Sequence, residues 1–253
     1  MVQELSSVYI GHITPSSEDS KSIERNIFSF LDSKCFDTDE LRAVGCDVTN
    51  VNTGAVRSDI HLMEVRLGRP RQWLICLLHA NELPLRHLIQ KLDGATKGQE
   101  VFSGVIGKSL KISKQHPVVQ FTVVKLENCP DIDGADLCTD QQYLYNMCHA
   151  ISVGQCSKDL ALQKPGPIVH SRWLTTVNRL LRLYVATENP SETLRNLVMY
   201  VMKVHAPVWF HIKSKLSCSE GSRHLWRMIK FSRYMIPELK AIVDPVIQRN
   251  GYL

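Results

Sequence analysis

No apolar run in this chain is long enough to cross a bilayer. The longest, such as Trp73 to Leu78, fall far short of the roughly 20 residues a spanning helix needs. The opening residues Met1 to Tyr9 lack the basic start and apolar core of a secretory signal. There is no internal repeat and no low-complexity tract. Cysteine is not scarce, but the compact spacing of a disulfide framework is missing. The eight cysteines stand at 35, 46, 76, 129, 138, 148, 156 and 218, the scatter expected of reduced thiols in an intracellular protein. These absences exclude a membrane-spanning protein and a secreted disulfide scaffold, and leave a nuclear or cytoplasmic globular chain as the expectation.

What is present suffices for a sizeable core. The chain has 253 residues, 44% apolar and 22% charged, ordinary values for a folded protein of one or two parts. The net charge of +5 is unevenly placed. Residues 1–164 carry 17 Lys and Arg against 20 Asp and Glu, whereas residues 165–253 carry 13 against 5. A basic second half suits either a polyanion or an ordinary solvated helical surface.

Pattern predicts alternating strands and helices up to residue 92. Val8 to Ile13 reads as a strand and Ser20 to Ser33 as a helix, with Ile23, Ile27, Phe30 and Leu31 on one face. Ala43 to Cys46 is a short buried strand ending at Asp47. Ala55 to Leu67 is a second helix, stopped by Gly68 and Pro70. Gln72 to Leu78 is a continuous apolar strand of the kind that fills the middle of a sheet. Asn81 to Leu92 is a helix with Pro84 in its first turn. Such alternation predicts an α/β layer of three central strands with helices over residues 1–92. Residues 93–137 read as an irregular connection with one short strand, Val118 to Val124. From residue 138 the pattern is a helical domain. Thr139 and Gln142 form a capping box on a helix to Val153, and further helices are expected over Ser171 to Ala186, Ser191 to His205, Glu220 to Tyr234 and Glu238 to Gln248.

Five groups of residues are candidates for chemistry. Asp47 stands where a carboxylate at a strand's end can hold a divalent metal, with Asn50 and Asn52 placed to orient it or to meet a phosphate; a turn or helix-capping aspartate has the same sequence appearance. Cys76 and His79 have metal-ligand spacing, but no second close pair completes a zinc set, so zinc is not expected and a buried thiol beside a hydrogen-bonded imidazole is favoured. Gly104 to Ser109 matches only the end of a phosphate loop, because the first glycine of that motif falls on Phe102; nucleotide binding is not expected. Arg172 and Trp173 open an apolar helix, the Trp as packing and the Arg as a phosphate contact placed by it. Farther on, Trp209, Phe210, Trp226, Phe231 and Tyr234 interleave with Arg223, Arg227, Lys230 and Arg233, a mixture of core and solvated face that also fits a nucleic-acid surface.

In order, Cys46-Asp47-x-Thr49-Asn50, Cys76-x-x-His79-x-Asn81-x-Leu83 and Ser171-Arg172-Trp173 resemble the motif succession of cut-and-paste DNA transposases of the hAT superfamily, over about residues 8–190. The resemblance implies a ribonuclease-H-like catalytic layer interrupted by a large helical insertion. It also implies an Asp–Asp–Glu set working with Mg²⁺ or Mn²⁺, in which Asp47 matches the second Asp. The first Asp would precede the strand at Val8, the final Glu is unassigned with Glu238 the only late candidate, and the zinc-finger module of such enzymes has no counterpart here. One carboxylate cannot hold two metal ions for in-line displacement. The expectation is therefore a truncated, catalytically silent relative that retains nucleic-acid or protein contacts. A working strand-transfer enzyme, if a longer product supplies the missing carboxylates, is one alternative. A helical interaction module with no nucleic-acid role is the other. An uncovered sheet edge makes self-association a further expectation.

Overall fold

In the structure, a computed structural model, residues 9–17, 19–46, 58–97, 101–164, 172–215 and 220–251 are described. The fold is mixed α/β with helix dominant, and it divides into two compact units, Met1–Cys76 and Leu77–Leu253. The pattern of elements had drawn the first boundary at residue 92; contacts instead place the helix that begins at Leu77 in the second unit.

The first unit contains helix α1 (Ser20–Ser33), strand β1 (Ala43–Cys46), helix α2 (Asp59–Leu67) and strand β2 (Gln72–Ile75). Asp19 starts α1 by accepting from the Ser22 N–H at 3.0 Å. The helix then buries Phe28. Ser58 caps α2 in the same way, its hydroxyl accepting from the His61 N–H. Gly68 ends α2 in the left-handed conformation at φ 63°, with Arg69 N–H returning to the Glu64 carbonyl. The two strands pair in parallel with Ala43 opposite Gln72 and Cys46 opposite Ile75. A parallel pair needs a crossover connection, and α2 lies in it. Glu64 ties helix to strand, since its Oε1 accepts from Trp73 Nε1 at 3.1 Å and from the Arg71 N–H at 2.8 Å.

Three expectations for this unit are corrected. The strand at Val8 to Ile13 does not form: Val8 is outside the described residues and residues 9–13 have no regular structure. The helix expected from Ala55 begins at Asp59, because Ser58 is extended and capping. The strand from Gln72 stops at Ile75 rather than Leu78, and it alternates, with Leu74 45% exposed. Among the described residues the sheet thus has two strands and one open face, not three buried ones.

The second unit opens with α3 (Leu77–Leu92) and a minimal antiparallel pair, β3 (Thr96–Lys97) and β4 (Val101–Phe102). Helices α4 (Val105–Ser109), α5 (Thr139–Val153), α6 (Lys158–Leu162), α7 (Arg172–Tyr184) and α8 (Glu192–Tyr200) follow. A π-helical turn, Val201–His205, runs directly from α8 into α9 (Ala206–Ser214), and α10 (Gly221–Ser232) and α11 (Pro237–Gly251) complete the unit. One apolar core joins these elements. Leu239, Val243 and Ile247 form the buried stripe of α11 at four-residue spacing and belong to the same core as Leu85, Leu88 and Ile89 of α3.

Here too the helices differ from expectation in instructive ways. Leu77 and Leu78 begin α3 instead of ending β2, so Pro84 lies in the middle of that helix. The cap of α5 is Cys138, one residue earlier than Thr139, with Gln141 Oε1 accepting from the Cys138 N–H. Val118 to Val124 is not in a strand. The helix expected to end at His205 passes on through Pro207 to Ser214. Proline supplies no N–H to the preceding turn and its ring needs room there, which a widened π turn provides. Among the described residues, no helix is long and apolar enough to cross a membrane.

Candidate nucleic-acid interface

Helix α10 is divided lengthwise. His224, Met228 and Phe231 are buried, while Arg223, Trp226 and Lys230 are exposed and Arg227 half-buried, a repeat of three and four residues that keeps one sign of charge on one face. Beyond the helix end, the Arg233 guanidinium lies 5.3 Å from the centre of the Trp226 ring, within cation–π range. Trp226 remains 54% exposed, unusual for so large an apolar side chain.

The exposed face forms one wall of an open groove of about 470 Å³. Asn128 and Cys129 supply another part of it, and His211 of α9 a third. His211 Nε2 donates to the Asn128 carbonyl at 2.9 Å, which holds the loop against the helix. Asn128 sits at φ 59°, a left-handed conformation that asparagine tolerates better than other side chains. The groove lining contains Arg223, Arg227 and Lys230 and no carboxylate. Just outside the lining, Glu220 pairs with the exposed Arg223 at 2.7 Å, its own side chain 15% exposed, so Arg223 is partly neutralised and Arg227 and Lys230 are the cations without a carboxylate partner in the groove lining.

Both histidines beside the groove are pushed toward the neutral form. His224 Nε2 donates to the Lys215 carbonyl at 3.0 Å, so its Nδ1 is the acceptor for Arg227 Nη1 at 3.3 Å. Burial is the main force holding His224 below the usual histidine range, and Arg227 adds to it. For His211, burial again comes first and Arg227 second. Burial drives the Cys129 thiol up to about 12, so it is protonated and unreactive at neutral pH. What the groove offers is positive charge, an indole face and the Asn128 amide.

The residues singled out from sequence fare differently. Asp47, Asn50 and Asn52 lie outside the described residues, as does Ser171. Arg172 is the first residue of α7, its side chain outside what the structure describes, and Trp173 is buried in the core of its unit. Cys76 is exposed just past β2, its N–H donating to the Cys46 carbonyl at 2.9 Å, so the expectation of a buried thiol is corrected; His79 is half-buried in the first turn of α3. Among the described residues no three His, Cys, Asp or Glu side chains come together as metal ligands.

The phosphate-loop fragment has an internal occupant. Asp93 Oδ1 accepts from the Ile106 N–H at 2.9 Å and Oδ2 from the Gly107 N–H at 2.7 Å, so a carboxylate of the chain itself fills the place of an anion. The fit depends on glycine, because a Cβ on Gly104 would stand 1.6 Å from the Asp93 carbonyl oxygen. The contributions of Asn128, Cys129 and His211 to the groove had no signal in the sequence, since nothing there pairs residue 128 with residue 211. Compared with known protein families, with curated proteins and with solved structures, the chain matches none.

Proposed function

We propose that this chain binds nucleic acid through the exposed face of α10, as a relative of the hAT-type transposases whose motif order it resembles, and that catalysis is not part of its function. The observation that carries the reading is the convergence of Arg223, Arg227 and Lys230 on a single groove that has no carboxylate in its lining and an exposed Trp226 at its edge. Phosphate contacts supply most of the affinity in such complexes, and arginine suits them because its planar fork can take two oxygens at once. The excess of 13 basic over 5 acidic residues after residue 164 supports the same reading through the longer-range field.

A ribonuclease-H-like layer belongs to this proposal through the resemblance, and the parallel β1–β2 pair with α2 in its crossover is compatible with it. The test is fluorescence anisotropy with labelled oligonucleotides, comparing the intact chain with the double variant Arg227→Glu, Lys230→Glu. The expected result is binding that the double variant loses by at least about tenfold. Equal binding by both would remove the α10 face from the account.

A further inference from the structure

We propose that the α10 groove is built for a single-stranded nucleic acid, with a base stacked on Trp226 and the backbone running along Arg223, Arg227 and Lys230. The inference rests on the nucleic-acid reading above and narrows its ligand. Duplexes keep their base faces inside the stack, so an indole on a duplex-binding surface would meet only sugar and phosphate. A single strand exposes a π face at every step, and aromatic side chains in a basic groove are the usual means of holding one.

Three observations favour this ligand. Trp226 is 54% exposed at a groove edge, although the second unit has an extensive apolar core that buries Trp173 and Trp209. Arg233 lies over the indole at 5.3 Å, a cation–π contact that helps fix the orientation of the ring at the groove edge. The cations follow one another along the helix at steps of four and three residues, about 6 and about 4.5 Å along its axis, a spacing suited to successive phosphates of one extended strand. The amide of Asn128, exposed at the opposite wall, is placed for the edge of a base.

The experiment titrates the full chain with oligothymidylate of about 20 nucleotides, the matching oligouridylate and a mixed-sequence duplex of the same length. Tryptophan emission and the anisotropy of labelled strands are followed together. The expected result is tighter binding of the single strands than of the duplex, quenching of emission, and loss of between about fivefold and about a hundredfold in single-strand affinity in Trp226→Ala. Trp226→Phe should retain most of it. The side chain is exposed, so both variants should keep the parent's circular dichroism and melting temperature, and a variant that does not is replaced by Trp226→Tyr. Equal affinity of Trp226→Ala and parent for oligothymidylate would overturn the inference. Equal binding of duplex and single strand, both lost in Arg227→Glu, Lys230→Glu, would overturn it and leave the broader reading standing. Absence of binding to all three probes would remove both.

Discussion

Acid should loosen the second unit through His205, and the size of the effect follows from its surroundings. His205 closes the π-helical turn and is 1% exposed. Its Nδ1 faces the Asn81 carbonyl at 3.3 Å, and Asn81 Nδ2 donates to the His205 carbonyl at 3.0 Å. This reciprocal contact fastens α3 to the helix that continues into α9 and supplies His211 to the groove. Burial depresses the imidazole to about 4, against the weaker opposing pull of the Asn81 carbonyl. In the unfolded chain it titrates near its ordinary value of about 6.5. The unfolded state therefore binds a proton first, so the stabilisation is complete above about 6.5 and is lost as the pH falls toward 4. At 1.36 kcal/mol for each unit of separation, linkage gives a loss of about 2 kcal/mol by pH 5 and about 3 kcal/mol by pH 4. Urea unfolding followed by far-UV circular dichroism from pH 7.5 down to 4.5 measures it. His211 and His224 are depressed as well and add to the slope, so the quantity of interest is the difference between the parent and His205→Gln. The variant should be the less stable at pH 7.5 and should lose less on acidification, the gap closing by about 2 kcal/mol at pH 5. Parallel curves would refute the argument that burial keeps this histidine neutral.

Three other predictions test separate parts of the structure. Arg182 is 2% exposed, donating from Nε to the Ala161 carbonyl at 2.9 Å and from Nη2 to the His116 carbonyl at 2.6 Å. Arg182→Ala should cost about 3 kcal/mol in urea unfolding, from lost packing and two orphaned carbonyls, and Arg182→Met less; no loss in the Ala variant would contradict the clamp. Asp93→Ala should destabilise by about 1–2 kcal/mol because two N–H groups lose their acceptor, and Gly104→Ala by more, given the 1.6 Å approach; a rise in thermal stability for either would be the wrong sign. With Mg²⁺ or Mn²⁺ the chain should neither nick nor join supercoiled DNA, and cleavage that disappears in Asp47→Asn would establish the enzyme instead.

How much of this was legible in the sequence depended on whether local forces decided the outcome. The extent of helix α1 was readable because apolar residues recur at helical spacing, but the side chain it buries is Phe28, outside the expected set of Ile23, Ile27, Phe30 and Leu31. The run Trp73 to Leu78 misled because a short apolar stretch has no period long enough to separate strand from helix. Tertiary packing settled it, recruiting Leu77 and Leu78 to α3, and Pro84 was then carried into a helix interior that the same packing stabilises. The helix expected to end at His205 instead continues past Pro207, because a π turn ahead of the proline accommodates it. Along α10 the cations and Trp226 were visible as a mixed face. Their groove was not, because its opposite wall at Asn128 and Cys129 is about a hundred residues away in the chain and is held by a His211–carbonyl bond.

Phosphate neutralisation by α10 is the central claim, and the salt dependence of binding measures it directly. Anisotropy titrations of labelled oligothymidylate between about 50 and about 300 mM salt should give a log–log slope near −2, as about three contacts to a single strand release counterions at about 0.7 each. Arg227→Glu, Lys230→Glu should reduce the slope to about −0.7 or less in magnitude, since two of the three contacts are removed. A parent slope already near zero, or one that the double variant leaves unchanged, would contradict the claim that these side chains meet a nucleic acid.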